Sequence, residues 1–410
     1  MKLFEWHFMP YPELPEDMEQ NYDSAWITLP NQLFDPSKGV QLYSEYIQQL
    51  VMAEELGLDG VVVNEHHQNA YGMMPSPNLI ASALTQLTSK IQIVVLGNLL
   101  YFYHRPTRVA EEIAMLDVMS NGRIISGMAV GMAAEFYSYN NNPMFVREQF
   151  WESVDVIMKA FTKPGPFSYK GKHFTLPYVN IWPRPVQQPR PQIWVPGAVS
   201  SETMIEVARR GLGYFLSSRL GIKGNKEAIG RFRGVLEKEG STYSPYRMGL
   251  LVTVYIGETD EEAREECGEH VWFFLRKHLY GHLSRRGRSL TVIPYNTLPP
   301  SYRAWFAHQN WNEGMLGDAE TWDDIKRFGS IIIGSPETVA NYLVELVREC
   351  EVGNLLIQFQ FGDMPHEKAV RNIKMFSERV MPILREEGDK ALRKAFGMDP
   401  ENITWQEVRS

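Results

Sequence analysis

Three residues with acid–base chemistry stand in a row: Glu65, His66 and His67 follow the apolar run Gly60–Val63 after a single residue, Asn64. An imidazole changes its charge near neutral pH, so it can act as a general base or bind a metal. A short valine run that ends in polar residues is typical of a strand covered on both faces of a parallel α/β sheet. The segment therefore indicates a reactive strand end. From these residues alone it could be a general base, a metal site or a polar cap of the strand.

The rest of the chain supplies the elements that would position this strand end. Strand-like runs alternate with amphipathic helical patterns, and a Gly-x-Gly-x-x-Gly turn after the first strand is absent. The eight predicted strands are residues 2–9, 60–64, 91–97, 123–130, 192–196, 213–217, 247–257 and 354–359. This pattern predicts an α/β fold, a (β/α)8 TIM barrel with insertions, whose active site lies at the carboxyl ends of the strands.

One segment interrupts the alternation. Residues 269–330, between the seventh and eighth predicted strands, are rich in Trp, Tyr, Phe and His. They predict a helical, aromatic insertion, which is either a lid over the barrel mouth or a contact between subunits. We predict a single barrel domain over residues 1–390 and a polar tail over 391–410.

Composition excludes several classes of protein. A net charge of −8 and a pI near 5.8 argue against nucleic acid or an anionic membrane as the main partner. Two cysteines, Cys267 and Cys350, indicate neither a disulfide framework nor a thiolate metal site. No apolar run approaches the roughly 20 residues that span a bilayer, and the N-terminus lacks a signal-peptide pattern. We expect a cytoplasmic protein.

A set of landmarks along the chain resembles the luciferase-like superfamily of flavin-dependent monooxygenases. The landmarks fall in that family's order and extend from the first strand to the last helix. They are Glu65-His66-His67, Pro77-Asn78, Arg105-Pro106, Glu111 to Asp117, Ser120 to Arg123, Pro191 to Gly197, Ser200 to Thr203, and Met381 to Leu384.

The resemblance implies a function. Members use reduced FMN (FMNH2) supplied by a separate NAD(P)H-dependent flavin reductase, with O2 as co-substrate. Through a flavin peroxide they insert one oxygen atom into a small substrate, here expected to be apolar. By resemblance His66 is the catalytic base, Glu65 orients its ring, and the protein is a homodimer.

The resemblance also assigns the flavin site. Gly197, Ala198, Ser200, Ser201 and Thr203 would bind the phosphate, because a helix N-terminus offers free N–H groups and a favourable dipole. The luciferase branch has an arginine where this chain has Val130, so we expect Arg147 or Arg184 to compensate the phosphate charge.

Three further residues are expected beside the flavin ring. A non-proline cis peptide is expected at Gly97–Asn98, and the Asn98 amide is expected at the ring edge. Tyr139, with its neighbour Tyr137, is a candidate for contact with the flavin or its phosphate.

Three other functions remain open on sequence. The same barrel could use a deazaflavin coenzyme for hydride transfer, and the phosphate residues do not separate the two coenzymes. A metal-dependent hydrolase would use His66 and His67 as ligands, although the first strand offers only His7 and lacks His-x-His. A non-catalytic flavin-binding partner subunit is the third, and the presence of His66 argues against it.

Overall fold

The computed structural model describes residues 1–197, 200–216, 220–280, 319–329 and 331–397. Labels below number the described elements in chain order. The strands are β1 Lys2–Trp6, β2 Gly60–Val63, β3 Gln92–Leu99, β4 Ile124–Ala129, β5 Phe167–Lys170, β6 Thr175–Val179, β7 Gln192–Gly197, β8 Gly213–Leu216, β9 Met248–Ile256, β10 Ile331–Gly334 and β11 Asn354–Gln358.

Helices cover the outside of these strands. They are α1 Met18–Asn21, α2 Pro36–Glu55, α3 Pro77–Leu87, α4 Pro106–Met119, α5 Ala133–Ser138, α6 Pro143–Thr162, α7 Ser201–Arg209, α8 Gly221–Lys238, α9 Asp260–Phe273, α10 Trp322–Phe328, α11 Pro336–Cys350, α12 His366–Met375 and α13 Met381–Phe396. Single π-helical turns, Phe274–His278 and Phe376–Val380, follow α9 and α12. None of the helices in the described ranges is long and apolar enough to cross a membrane.

The strands close into a parallel barrel in the order β1-β2-β3-β4-β7-β8-β9-β11, with β11 pairing back to β1. The predicted TIM barrel is therefore confirmed. Two features were not predicted. β5 and β6 form an antiparallel hairpin before β7. The short β10 pairs with β9 from Ile331↔Thr253 onward, beyond the end of β8.

Aromatic rings fill the barrel interior, and each lies over a glycine of the next strand. A Cβ on Gly60, Gly213 or Gly249 would lie 2.2, 2.4 or 1.9 Å from the rings of Phe4, Trp194 and Phe215 respectively. Phe4 and Trp194 meet across the barrel with ring centroids 5.5 Å apart, and Trp194 also stacks on Phe215 of the adjacent strand at 5.1 Å. This packing closes the lower barrel and leaves the carboxyl ends of the strands for a site.

Helix starts follow standard capping chemistry. The Asp35 carboxylate accepts the Ser37 N–H at the start of α2, and the Ser335 hydroxyl accepts the Thr338 N–H at the start of α11. Proline occupies the first turn of both helices, where its missing N–H costs nothing.

The end of the first strand and the start of the tail differ clearly from the predicted positions. The first strand ends at Trp6 because Met9 adopts a left-handed φ of +51°. The predicted tail from residue 391 begins inside α13, because Leu392 is buried in the core and the helix continues to Phe396, with Gly397 as its left-handed cap. Residues 398–410 lie outside the described residues.

The long loop after β1 packs against the beginning of the predicted insertion. Trp26 Nε1 donates to the His278 carbonyl at 2.9 Å, and His278 Nε2 lies 2.9 Å from the Tyr11 carbonyl. Burial lowers the pKa of His278 to about 4, so its ring is neutral and donates this bond. Residues 281–318 lie outside the described residues, so the choice between lid and subunit contact stays a prediction.

Candidate active site

His66 lies at the carboxyl end of β2 and pairs with a residue that follows β4. Its Nδ1 is 3.0 Å from Oε1 of Glu135, and the Glu135 carboxylate is almost fully buried. Glu135 Oε2 accepts the Met132 N–H at 2.9 Å, which fixes the carboxylate at the start of α5. Among the described residues none bonds to His66 Nε2, and the side chain is 14% exposed. The arrangement favours a proton on Nδ1 and a free lone pair on Nε2.

Aromatic rings surround the other sides of His66. Its ring centroid lies 5.0 Å from Tyr71, 5.5 Å from Trp26 and 6.4 Å from Phe8. Tyr71 and Phe274 stack at 6.5 Å, so the π turn after α9 also borders this cluster. His66 therefore stands in an apolar mouth walled by the first loop and the start of the insertion.

The second histidine belongs to a different network. His67 Nε2 lies 2.8 Å from Glu65 Oε1, and His67 Nδ1 lies 3.0 Å from the Tyr139 hydroxyl. The expectation that Glu65 orients the ring of His66 was therefore wrong. Side chains alternate along an extended chain, so Glu65 points away from the face that carries His66.

Glu65 lies on the outer side of the barrel, where donors from β3 and the following loop bond to its carboxylate. Its Oε2 accepts the Leu99 N–H at 3.2 Å and the Tyr103 hydroxyl at 3.0 Å. Burial, with the Glu65 carboxylate beside it, raises the pKa of Tyr103 above its usual value. These bonds make Glu65 a positioning residue for His67.

Asn98 belongs to the same outer network. Its side chain is fully buried, and Nδ2 donates to Asn78 Oδ1 at 3.1 Å. The cis peptide lies one residue earlier than expected, at Leu96–Gly97. There β3 lies close to β4, since a Cβ on Gly97 would be 2.6 Å from the backbone carbon of Gly127. Contact of the Asn98 amide with a flavin stays a prediction.

The predicted phosphate residues gather at the N-terminus of α7. Gly197 ends β7, Ser200 caps the helix, Ser201 is exposed and Thr203 is buried. Ala198 lies outside the described residues. Arg147, on α6, reaches this end: its Nη1 is 3.4 Å from Thr203 Oγ1 and 3.9 Å from the Glu202 carboxylate.

Arg184 lies elsewhere and donates to the Phe161 carbonyl at 2.6 Å. Of the two expected cations, Arg147 is the one beside α7.

Tyr139 covers His67 at the edge of the mouth. Its ring stacks on Phe102 at 4.1 Å, and 41% of the residue is exposed. Tyr139 therefore presents one aromatic face to solvent while its hydroxyl is bonded to His67.

Sequence reasoning missed Glu135. A signal existed, because Glu135 is three positions after Met132, the residue that caps α5, and an acidic residue at this position is common at a helix start. The pattern predicts the bond to the Met132 N–H but not the bond to His66, which is 69 positions away in sequence.

The amino-acid sequence is similar to those of known proteins. The family model described as luciferase-like monooxygenase matches residues 23–350. Uncharacterized protein y4vJ of Sinorhizobium fredii is 26% identical over 345 residues, 83% of this chain and 91% of that protein. The oxygenase component of the flavin-dependent trigonelline monooxygenase of Acinetobacter baylyi is 27% identical over 241 residues, 57% of this chain and 65% of that protein.

Two solved structures share the fold. The oxygenating constituent of 3,6-diketocamphane monooxygenase of Pseudomonas putida, in complex with FMN, aligns with a TM-score of 0.68 and 19% identity over 93% of this chain and 98% of that chain. An F420-dependent secondary alcohol dehydrogenase aligns with a TM-score of 0.63 and 14% identity over 94% of this chain and 99% of that chain. At these identities the likeness concerns the barrel alone.

Proposed function

Because the chain belongs to the luciferase-like monooxygenase family, we propose that it is the oxygenase component of a two-component flavin system. It takes reduced FMN from a separate NAD(P)H-dependent reductase and inserts one atom of O2 into a small substrate. The observation that carries the proposal is the His66–Glu135 pair, with a free Nε2, in an aromatic mouth at the carboxyl end of the barrel.

The residues at α7 fit a phosphate monoester. The helix N-terminus, the hydroxyls of Ser200, Ser201 and Thr203, and the guanidinium of Arg147 form a set of donors for such a group. Glu202 would oppose the phosphate, since its carboxylate lies 3.9 Å from Arg147, but its side chain is exposed to solvent. When bound, FMN supplies the reaction of reduced flavin with dioxygen.

His66 handles the proton in this proposal. Nε2 accepts a proton from the reacting group, and Glu135 stabilises the resulting imidazolium through Nδ1. The rings of Phe8, Trp26 and Tyr71 pack around the imidazole and leave little of it exposed to water. His67 and Glu65 position the loop and do not contact the substrate.

A homodimer is part of the proposal. Four large apolar side chains are exposed on the adjacent helices α3 and α4: Leu79, Leu87, Met115 and Val118. An exposed apolar face of this kind is typical of a subunit contact.

Anaerobic titration with two coenzymes tests the proposal. We expect reduced FMN to bind with a dissociation constant on the order of micromolar and the reduced deazaflavin F420 to bind far more weakly. Absence of FMN binding together with tight F420 binding would reject the proposal in favour of hydride transfer, the chemistry of the structural neighbour that uses F420.

A further inference from the structure

The inner face of β2 leads from the barrel core up to His66. Gly60 faces inward, since the ring of Phe4 lies over it and contacts Trp194 on the opposite strand β7. Side chains two residues apart share a face, so Val62, Asn64 and His66 continue this inner face. Asn64 therefore lies one step, about 7 Å along the chain, beneath His66.

Asn64 is a buried amide without hydrogen bonds. It is 3% exposed, and in the described part of the chain neither its Nδ2 nor its Oδ1 has a partner. Trp6 is in register with Val62, and its ring faces the interior, 6.4 Å from Phe215 on β8. Its indole Nε1 also has no partner among the described residues. Two donors and one acceptor thus lie unpaired on neighbouring strands beneath His66.

Unpaired groups of this kind call for a partner. Buried polar atoms in folded proteins are almost always hydrogen-bonded, because leaving them unpaired in an apolar setting is costly. Phe8 stacks on the Trp6 ring at 5.1 Å, and none of the described residues pairs with Asn64 or with the Trp6 indole. A small molecule that enters the mouth would supply partners for these atoms.

We propose that Asn64 and the indole N–H of Trp6 form the polar floor of the substrate pocket beneath His66. The substrate would be a small aromatic or heteroaromatic compound that carries a carbonyl next to an N–H or O–H group. This inference rests on the proposed function, and it names the class of substrate for that same site.

The polar floor and the aromatic rings would contact different parts of such a compound. Asn64 Nδ2 and Trp6 Nε1 donate to the carbonyl oxygen, and Asn64 Oδ1 accepts from the adjacent N–H or O–H. The rings of Phe8, Tyr71 and Trp26 contact the flat apolar part. A plain hydrocarbon would leave the floor unpaired, so the site should discriminate against it.

Binding of three probes of similar size tests the floor. Benzamide offers a donor and an acceptor, acetophenone an acceptor only, and ethylbenzene neither. Ligand-observed NMR on the full chain should show wild type binding benzamide at least about tenfold more tightly than ethylbenzene, with acetophenone between them. N64L, which keeps the volume and removes the polar atoms, should abolish or reverse this order.

Ser126 provides a matched control. Its hydroxyl is also buried and unpaired in the described part of the chain, but it lies on the outer face of β4 next to the inward Gly127. S126A should keep the wild-type order of probes. If N64L does not fold, N64D, which loses the donor, must weaken benzamide binding.

Two results would overturn the inference. In the first, the wild-type protein shows no preference for benzamide. In the second, the preference for benzamide persists in N64L or N64D, which would mean that Asn64 and Trp6 bind only water. Reduced FMN binding is measured on the same samples. If wild type binds FMN but does not select among the probes, only the proposed substrate class is rejected. If wild type does not bind FMN, the proposed function itself is rejected.

Discussion

Two carboxylates lie near the histidine pair. Because successive side chains point to opposite sides of the chain, each carboxylate bonds to a different imidazole. Glu65 faces outward and bonds to His67, whereas Glu135 arrives from the loop after β4 and bonds to His66. A base needs one ring nitrogen held and the other free, and only His66 has this arrangement among the described residues of the pair. Glu135 is therefore the residue on which the role of His66 depends.

Replacing Glu135 tests this dependence. E135A should release the Nδ1 proton of His66 from its fixed position and slow substrate oxidation by roughly a hundredfold, the usual effect of removing a positioned acid–base group. Nitrogen NMR of histidine-labelled protein reports which ring nitrogen carries the proton. The matched control E65Q should alter the His67 signals only. An unchanged His66 tautomer in E135A would contradict the assignment.

Glu5 predicts a pH-dependent stability. Burial raises the pKa of Glu5 well above its usual value, and neither carboxylate oxygen has a partner in the described part of the chain. Below the unfolded pKa of about 4.3 the carboxyl is protonated in both states. Above it only the unfolded chain releases the proton, so stability falls by about 1.4 kcal/mol per pH unit until the folded pKa is reached.

E5Q removes this titration. The variant should melt at a higher temperature than wild type at pH 7, and the difference should disappear near pH 4, as measured by thermal unfolding at several pH values. E13Q, at a side chain that is 56% exposed, serves as the control and should show no such trend. A constant difference between E5Q and wild type across the range would refute the account.

At the scale of elements, helix α7 and Arg147 make a test of the phosphate site. R147Q should weaken binding of reduced FMN by roughly tenfold, since it removes a charged donor. Riboflavin, which lacks the phosphate, should bind R147Q as it binds wild type. R209Q, at the opposite end of α7, is the control. Equal losses for FMN and riboflavin would mean that Arg147 acts on the fold and not on the phosphate.

The first loop and the π turn after α9 form a second element-scale unit. Trp26 Nε1 bonds to the His278 carbonyl, and the Ala25 N–H bonds to the Tyr280 carbonyl at 3.2 Å. W26F removes one bond worth about 1 kcal/mol, so the Ala25 amide should exchange with solvent roughly fivefold faster. W182F, at a tryptophan that is mostly exposed, should leave that amide unaffected. Unchanged exchange in W26F would show that the two segments are held independently.

At the scale of the whole molecule, the repeating pattern made the barrel predictable. Each barrel strand is an apolar run whose helix partner has its own apolar stripe, so the order of elements could be inferred locally. β10 was not predicted because Ile331–Gly334 is short and follows an insertion. It pairs with the part of β9 that extends beyond the end of β8.

The site was less predictable than the barrel, for a physical reason. The sequence indicates which residues lie at strand ends, but not whether their side chains face the barrel interior or its outer side. Glu65 was expected to orient the ring of His66 and instead bonds to His67 and to the Leu99 N–H on the outer side of the barrel. Contacts such as His66–Glu135 join residues that are far apart in sequence and depend on the closed barrel.

The most direct test of the central claim uses isotopically labelled dioxygen. The protein, reduced FMN and a panel of small carbonyl-bearing aromatics are mixed under labelled O2, and products are examined by mass spectrometry. We expect a product that carries one labelled oxygen atom, formed by wild type and H67A but lost in H66A. A product without label, or one that H66A forms as fast as wild type, would contradict it.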